Sequence, residues 1–220
     1  FMQTARDYNA SRAAGNGKLD LIYEAMRPVF RREMPAIITA NTESAIRGAI
    51  AFGEKWNIRV VVSGANEAWK VRTILAQKKI PVILGPIETA PADNVPYDAI
   101  YAQPGLLNDA GVKFAFSTGN GSNARHVAFH AALAVAYGLS PDGALRALTL
   151  SPAEIFGAEK DIGSVAVGKL ANLFITTGDP LDLRTQVVEV FIKGRQIPDD
   201  DRHSRLYLKY KARPMIKVVP

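Results

Sequence analysis

The sequence contains no cysteine and only three histidines. The first absence excludes disulfides and thiolate metal sites, so a metal would have to be held by His, Asp, Glu or a modified Lys. It leaves the redox compartment open. No apolar run approaches the roughly 18 to 20 residues needed to cross a bilayer, and Phe1-Met2-Gln3 does not open a basic and then apolar leader. A soluble chain without a membrane partner is expected, and cytoplasmic and periplasmic settings both stay open. Because it starts at Phe1, the chain is expected to be the later part of something longer.

Charge is also scarce over most of the length. The formal net charge is +6, yet Arg202, Arg205, Lys209, Lys211, Arg213 and Lys217 lie in a stretch with no acid and account for the whole excess. A body-wide footprint for phosphate backbones is missing, so no nucleic-acid partner is expected. The tail Leu206 to Pro214 alternates aromatic or apolar with basic residues. An exposed strand kept soluble by Lys is the expectation there, with binding of single-stranded nucleic acid as a distant alternative.

What is present is ordinary globular material. At 48% hydrophobic over 220 residues, the chain can build one large domain or two small ones. After the breaker Gly15-Asn16-Gly17, apolar residues from Leu19 to Arg32 recur on one helical face. Buried-strand runs follow at Ala36 to Ala40, Arg59 to Ser63, Pro81 to Gly85 and Lys113 to Ser117. Helices are expected between them at Thr42 to Lys55, capped by Asn41 or Thr42, at Glu67 to Gln77, and, after a Pro-rich loop from Pro86 to Pro96, briefly at Leu106 to Ala110. Three more should run over Ala124 to Tyr137, Ser140 to Leu148 and Ser151 to Phe156. Strand and helix alternating at this spacing imply a parallel sheet covered by helices. A doubly wound sheet and a barrel both fit the pattern.

The stretch Asp161 to Leu181, DIGSVAVGKLANLFITTGDPL, narrows the choice. Its Gly-Ser turn, Gly-Lys pair, apolar run from Leu173 to Thr177 and Gly-Asp-Pro stop suggest a short strand, a tight turn and a buried strand. The phrase resembles the closing segment of the amidohydrolase superfamily, and YGLSPDGALRALTLSPAEIFGAEKDIGS resembles the stretch that precedes it there. The similarity, to the imidazolonepropionase-like hydrolases in particular, extends over about Pro35 to Arg195. It implies an α/β fold: residues 1–160 as the C-terminal half of a (β/α)8 TIM-type barrel, strands five to eight, and residues 161–220 as strands of a small composite β domain plus the basic tail. It also implies a partner, either the missing N-terminal half-barrel or a second copy of the chain, because four parallel strands leave two open edges.

The family holds one or two divalent metals, typically zinc, at the C-terminal ends of its strands, and the metal activates water for hydrolysis of C–N bonds in cyclic amide, amidine or peptide-like substrates. By the resemblance, the His of the fifth strand is Thr39 here, that of the sixth is Gly64 beside Ser63, and the Asp of the eighth is Gly119 beside Asn120. None of these ligates a metal in the usual way. No metal or other cofactor is therefore expected within this chain, and catalysis stands beside a non-catalytic binding or structural module, in which a small-molecule ligand is compatible with a vestigial pocket.

Other candidates come from the residues themselves. Ser117 to Asn123 is a Gly-rich loop before a helix. It fits an anion site with Asn120, Ser122, Asn123, Arg125 and His126, or simply a helix cap through Ser122 or Asn123. His126 and His130 share one helical face without the Glu of an HExxH site between them, and read as ligands or as surface and packing residues. His203 reads as structural or solvated. Trp56 and Trp69 read as core or interface aromatics before substrate platforms.

Overall fold

Four short apolar runs form the first sheet of the computed structural model, which describes residues 1–90, 95–198 and 202–213. Ahead of it lie two helices, α1 (Met2–Ala13) and α2 (Leu21–Phe30). Asp20 starts α2 by accepting the Ile22 and Tyr23 N–H groups at 2.9 and 3.3 Å, satisfying donors a helix start leaves orphaned. Then β1 (Ala36–Ala40), α3 (Glu43–Trp56), β2 (Val60–Gly64), a 3-10 turn (Ala68–Val71), α4 (Arg72–Gln77), β3 (Val82–Leu84), α5 (Ala99–Asp109) and β4 (Phe114–Phe116) follow in order. A second 3-10 turn (Gly121–His126) leads into α6 (Val127–Ala136), α7 (Pro141–Leu148) and α8 (Leu150–Phe156).

The sheet is parallel throughout and its order is β1-β2-β3-β4. Sequential order with right-handed crossovers puts every connecting helix on one face, which a doubly wound sheet does not do. Burial agrees. Ala40, Val60, Val62, Val82, Leu84, Phe114 and Phe116, alternate residues along the strands, are all buried, and Gly53 of α3 lies against Val60. The opposite face is covered only in part. Ile155 of α8 packs with Val61, Ile83 and Ala115, whereas Ile37, the register partner of Val61 on β1, is 52% exposed.

Helix ends use ordinary capping chemistry. Thr42 caps α3 through its Oγ1 to the Ala45 N–H at 3.3 Å, and Asn57 ends it in the left-handed region at φ 50°. Ser140 caps α7 with Pro141 in its first turn, a position where the missing N–H costs nothing.

The chain divides into two compact units, Phe1–Ser164 and Val165–Pro220. The second contains an antiparallel sheet, β5 (Leu173–Thr176), β6 (Val187–Ile192) and β7 (Arg195–Ile197), and a helix α9 (Arg202–Lys211).

Several expectations are corrected. The basic tail is the helix α9 over its described part, not a strand: besides the alternation, His203, Leu206, Tyr207 and Tyr210 recur at i, i+3, i+4 and i+7, the spacing of one side of a helix. The expected short strand before Leu173 is absent, with Val165 and Val167 fully open to solvent. β5 forms where expected but is not buried, since Phe174 and Ile175 are both exposed. α5 begins seven residues before Leu106, with Pro104 inside it. Of the Pro-rich loop, residues 91–94 lie outside the described residues.

Candidate functional site

Every strand of the parallel sheet ends on the same side, so Thr39, Ser63, Gly64, Gly85 and the Ser117–Asn120 loop form one rim. Parallel α/β sheets place their sites at this end because the loops that follow the strands converge there. The rim is held by backbone hydrogen bonds that continue the ladders: Gly85 N–H to Gly64 O at 2.9 Å and Ser117 N–H to Leu84 O at 3.0 Å. Thr39 is exposed on the uncovered face and pairs in register with the half-buried Ser63.

Two glycines on the rim are fixed by their backbone and by what fills the space beside them. Gly64 has φ +83° and Gly119 has φ +76°, a region that disfavours any Cβ. A Cβ on Gly64 would overlap the amide oxygen of Asn41, and one on Gly119 would stand 3.0 Å from Cγ of Pro86. Asn41 and Pro86 thus occupy the volume that side chains at 64 and 119 would need. Sequence reasoning did not find either, because they are brought there by the turns after β1 and β3.

Glu67 fixes the same rim. Its carboxylate accepts the Glu43 N–H at 2.7 Å at the start of α3 and pairs with Lys70 at 2.7 Å. The Lys70 ammonium first, and the Glu43 N–H second, hold its carboxyl below the ordinary carboxylate value, against a smaller opposing effect of burial.

The loop after β4 is a cap, with Asn120 rather than Ser122 or Asn123 in that role. The Asn120 side chain accepts the Asn123 N–H at 3.0 Å, and Thr118 donates to Asn120 O at 3.0 Å. Ser122, Asn123 and Arg125 are exposed on the 3-10 turn that follows.

Glu88, also missed in the sequence, joins the two histidines. One carboxylate oxygen lies 3.1 Å from Nε2 of His130 and 3.6 Å from Nδ1 of His126. His130 is only 2% exposed, and its Nδ1 is buried without a hydrogen-bond partner among the described residues. Arg125 Nε lies 3.3 Å from His126 Nε2. His203 is exposed on α9. The Trp69 backbone N–H donates to the side-chain oxygen of the buried Gln103 at 3.0 Å and its ring lies under the Lys70 ammonium, and Trp56 lies under the Arg6 guanidinium and the Lys55 ammonium. Both tryptophans are thus engaged in packing.

Zinc needs three or four nitrogen, sulfur or carboxylate donors converging within bonding distance. The rim offers hydroxyls at Thr39 and Ser63 and an amide oxygen at Asn41, and two of its positions are closed to side chains, so these residues do not fit such an ion. Among the described residues, no three His, Asp or Glu side chains are arranged to hold a metal.

Comparison with known proteins gives concordant matches. A profile described as the amidohydrolase family matches residues 98–197. Adenine deaminase 3 of Rhizobium meliloti (strain 1021) is 39% identical over 67 residues, 30% of this chain and 11% of that protein. The amidohydrolase tasK of Hapsidospora irregularis is 32% identical over 115 residues, 50% of this chain and 12% of that protein. The crystal structure of an amidohydrolase from Thermotoga maritima MSB8 superposes with a TM-score of 0.79 at 28% identity, covering 89% of this chain and 53% of that one. The chain therefore spans about half the length of that solved relative and a small fraction of the two other proteins. With its parallel sheet and these matches, the chain is similar to members of the amidohydrolase superfamily, and residues 98–197 match the family's profile.

Proposed function

We propose that this chain is a non-catalytic member of the superfamily, in which residues 1–160 supply strands five to eight of a (β/α)8 barrel and residues 161–220 supply part of a small β domain and a basic tail. The observation that carries the loss of catalysis is the filling of the rim: Asn41 over Gly64 and Pro86 beside Gly119. Losing a metal ligand by simple truncation leaves a hole. Here the hole is occupied, and the left-handed backbone at both glycines disfavours a return. Such a rim suits binding or structural support.

Support for the half-barrel comes from the sequential strand order and from the uncovered face at Ile37 and Thr39. The edges of β1 and β4 need pairing, and a companion half-barrel or a second copy of the chain would supply it. Sedimentation of the native assembly tests this: a larger assembly is expected, and a monodisperse monomer with no other polypeptide present contradicts it.

Hydrolysis of C–N bonds in cyclic amide, amidine or peptide-like substrates is the competing role, carried by family membership. It requires ligands from another segment. Elemental analysis of the purified native assembly separates the two. Well under one zinc, manganese or iron per chain is expected; a stoichiometric metal together with turnover of an N-acyl amino acid or an aminopurine overturns the non-catalytic role.

A further inference from the structure

The helix α9 presents a pattern that neither the barrel nor its rim uses. At 3.6 residues per turn, His203, Leu206, Tyr207 and Tyr210 stand at i, i+3, i+4 and i+7 and share one side. Arg202 and Lys209 flank this stripe on one edge, Lys211 flanks it on the other, and Arg213 follows the end of the helix. No acidic residue occurs between Arg202 and Arg213. Tyr207 and Tyr210 are 62% and 51% exposed. Each carries a cation over its ring: Lys211 at 5.4 Å from the Tyr207 centroid and Arg213 at 4.4 Å from that of Tyr210.

We propose that α9 is a peripheral docking helix for anionic phospholipid surfaces. Tyrosine rings have an apolar body and a polar tip that suit the headgroup boundary, while cations on both edges reach the phosphates. Each Lys or Arg near an anionic leaflet adds to the attraction, and one helix of this size gives reversible, salt-sensitive binding. Charge complementarity alone would also suit nucleic acid. A helix with Leu206 and two tyrosines along one side and cations at its edges favours a lipid surface, and nucleic acid is an outcome of the test below. No helix among the described residues is long and apolar enough to cross a membrane, so the contact lies at the surface.

Co-sedimentation of the full chain with vesicles tests the proposal, using phosphatidylcholine alone and phosphatidylcholine with about a third phosphatidylserine. Binding to the anionic vesicles only, lost at high salt, is expected. The double variant Lys209→Glu/Lys211→Glu should weaken it at least about tenfold, as four units of charge reversal at the surface imply. Tyr207→Ala/Tyr210→Ala should weaken it at unchanged charge. Circular dichroism and the sedimentation profile should show both variants folded as the parent. Absence of binding to anionic vesicles, binding unaltered by both variants, or binding to a single-stranded oligonucleotide in place of vesicles overturns the proposal.

Discussion

Asn41 stands in the volume that any side chain at position 64 would have to enter. The pairing ties the end of β1 to the end of β2, and Gly64 meets it with φ +83°. Gly64→Ala should therefore cost about 2 kcal/mol or more, combining left-handed strain with overlap. In Asn41→Gly the overlap is gone, and the cost should fall to about 1 kcal/mol. Urea denaturation of the two single variants and the double variant measures the coupling. Additive effects would show that Asn41 does not occupy that space.

Ile155 covers the half of the inner face that is covered at all. Packed against Val61, Ile83 and Ala115, it is 2% exposed. Ile155→Ala should lower stability by about 2 to 4 kcal/mol. Ile37→Ala, on the exposed part of the same face, should cost under about 1 kcal/mol in the isolated chain. A larger cost in the native assembly would locate the partner surface at Ile37. Chemical denaturation of each form checks the pair of numbers.

Glu67 links the starts of two helical segments through Glu43 and Lys70. Its folded-state pKa is depressed, so the unfolded chain binds more protons at acid pH and stability rises with pH through that window. The contribution is fully present above the unfolded carboxylate value, near 4.3, and is lost as pH falls through the folded value. Glu67→Gln should be destabilising at neutral pH by about 1 to 2 kcal/mol. Melting curves of parent and variant should converge as pH falls below that of an ordinary carboxyl group. A gap that stays constant with pH would assign the effect to packing.

Among the described residues, Glu88 is the hydrogen-bond partner of the buried His130 ring. Glu88→Ala would leave both ring nitrogens without a side-chain partner in a buried setting, at a cost of about 1 to 3 kcal/mol. Glu88→Gln keeps a polar group in reach and should cost less. Equal losses in thermal melts would show that the Glu88 carboxylate is not what holds the ring.

Much of this architecture could be read before any coordinates. AIITA, VVVSG, PVILG and KFAFS are apolar runs of strand length between turn formers, and a parallel strand buried on its helical face needs little else. Thr42 and Ser140 cap because short polar side chains reach back to orphan N–H groups, whereas Asp20 as a cap was missed and Asn120 won over Ser122 by one geometry among several. The tail was misjudged because LYLKYK satisfies the strand and helix periods alike. Burial of β5 was misjudged because apolar character marks a surface that wants covering, not one that is covered. Asn41, Pro86 and Glu88 left no signal in local pattern, since each acts across 23 to 42 residues of sequence. At Thr39, Gly64 and Gly119 the resemblance places the family's ligand positions; that Asn41 and Pro86 stand beside two of them was not legible in the sequence.

The central claim is that the strand ends of this chain cannot assemble the metal centre of their superfamily. The most direct measurement is an anomalous difference map at the zinc edge from crystals of the native assembly grown with excess zinc. The account predicts no peak within bonding distance of residues 39, 64 or 119. A well-ordered zinc there, with Asn41 or Pro86 displaced to admit it, would contradict it.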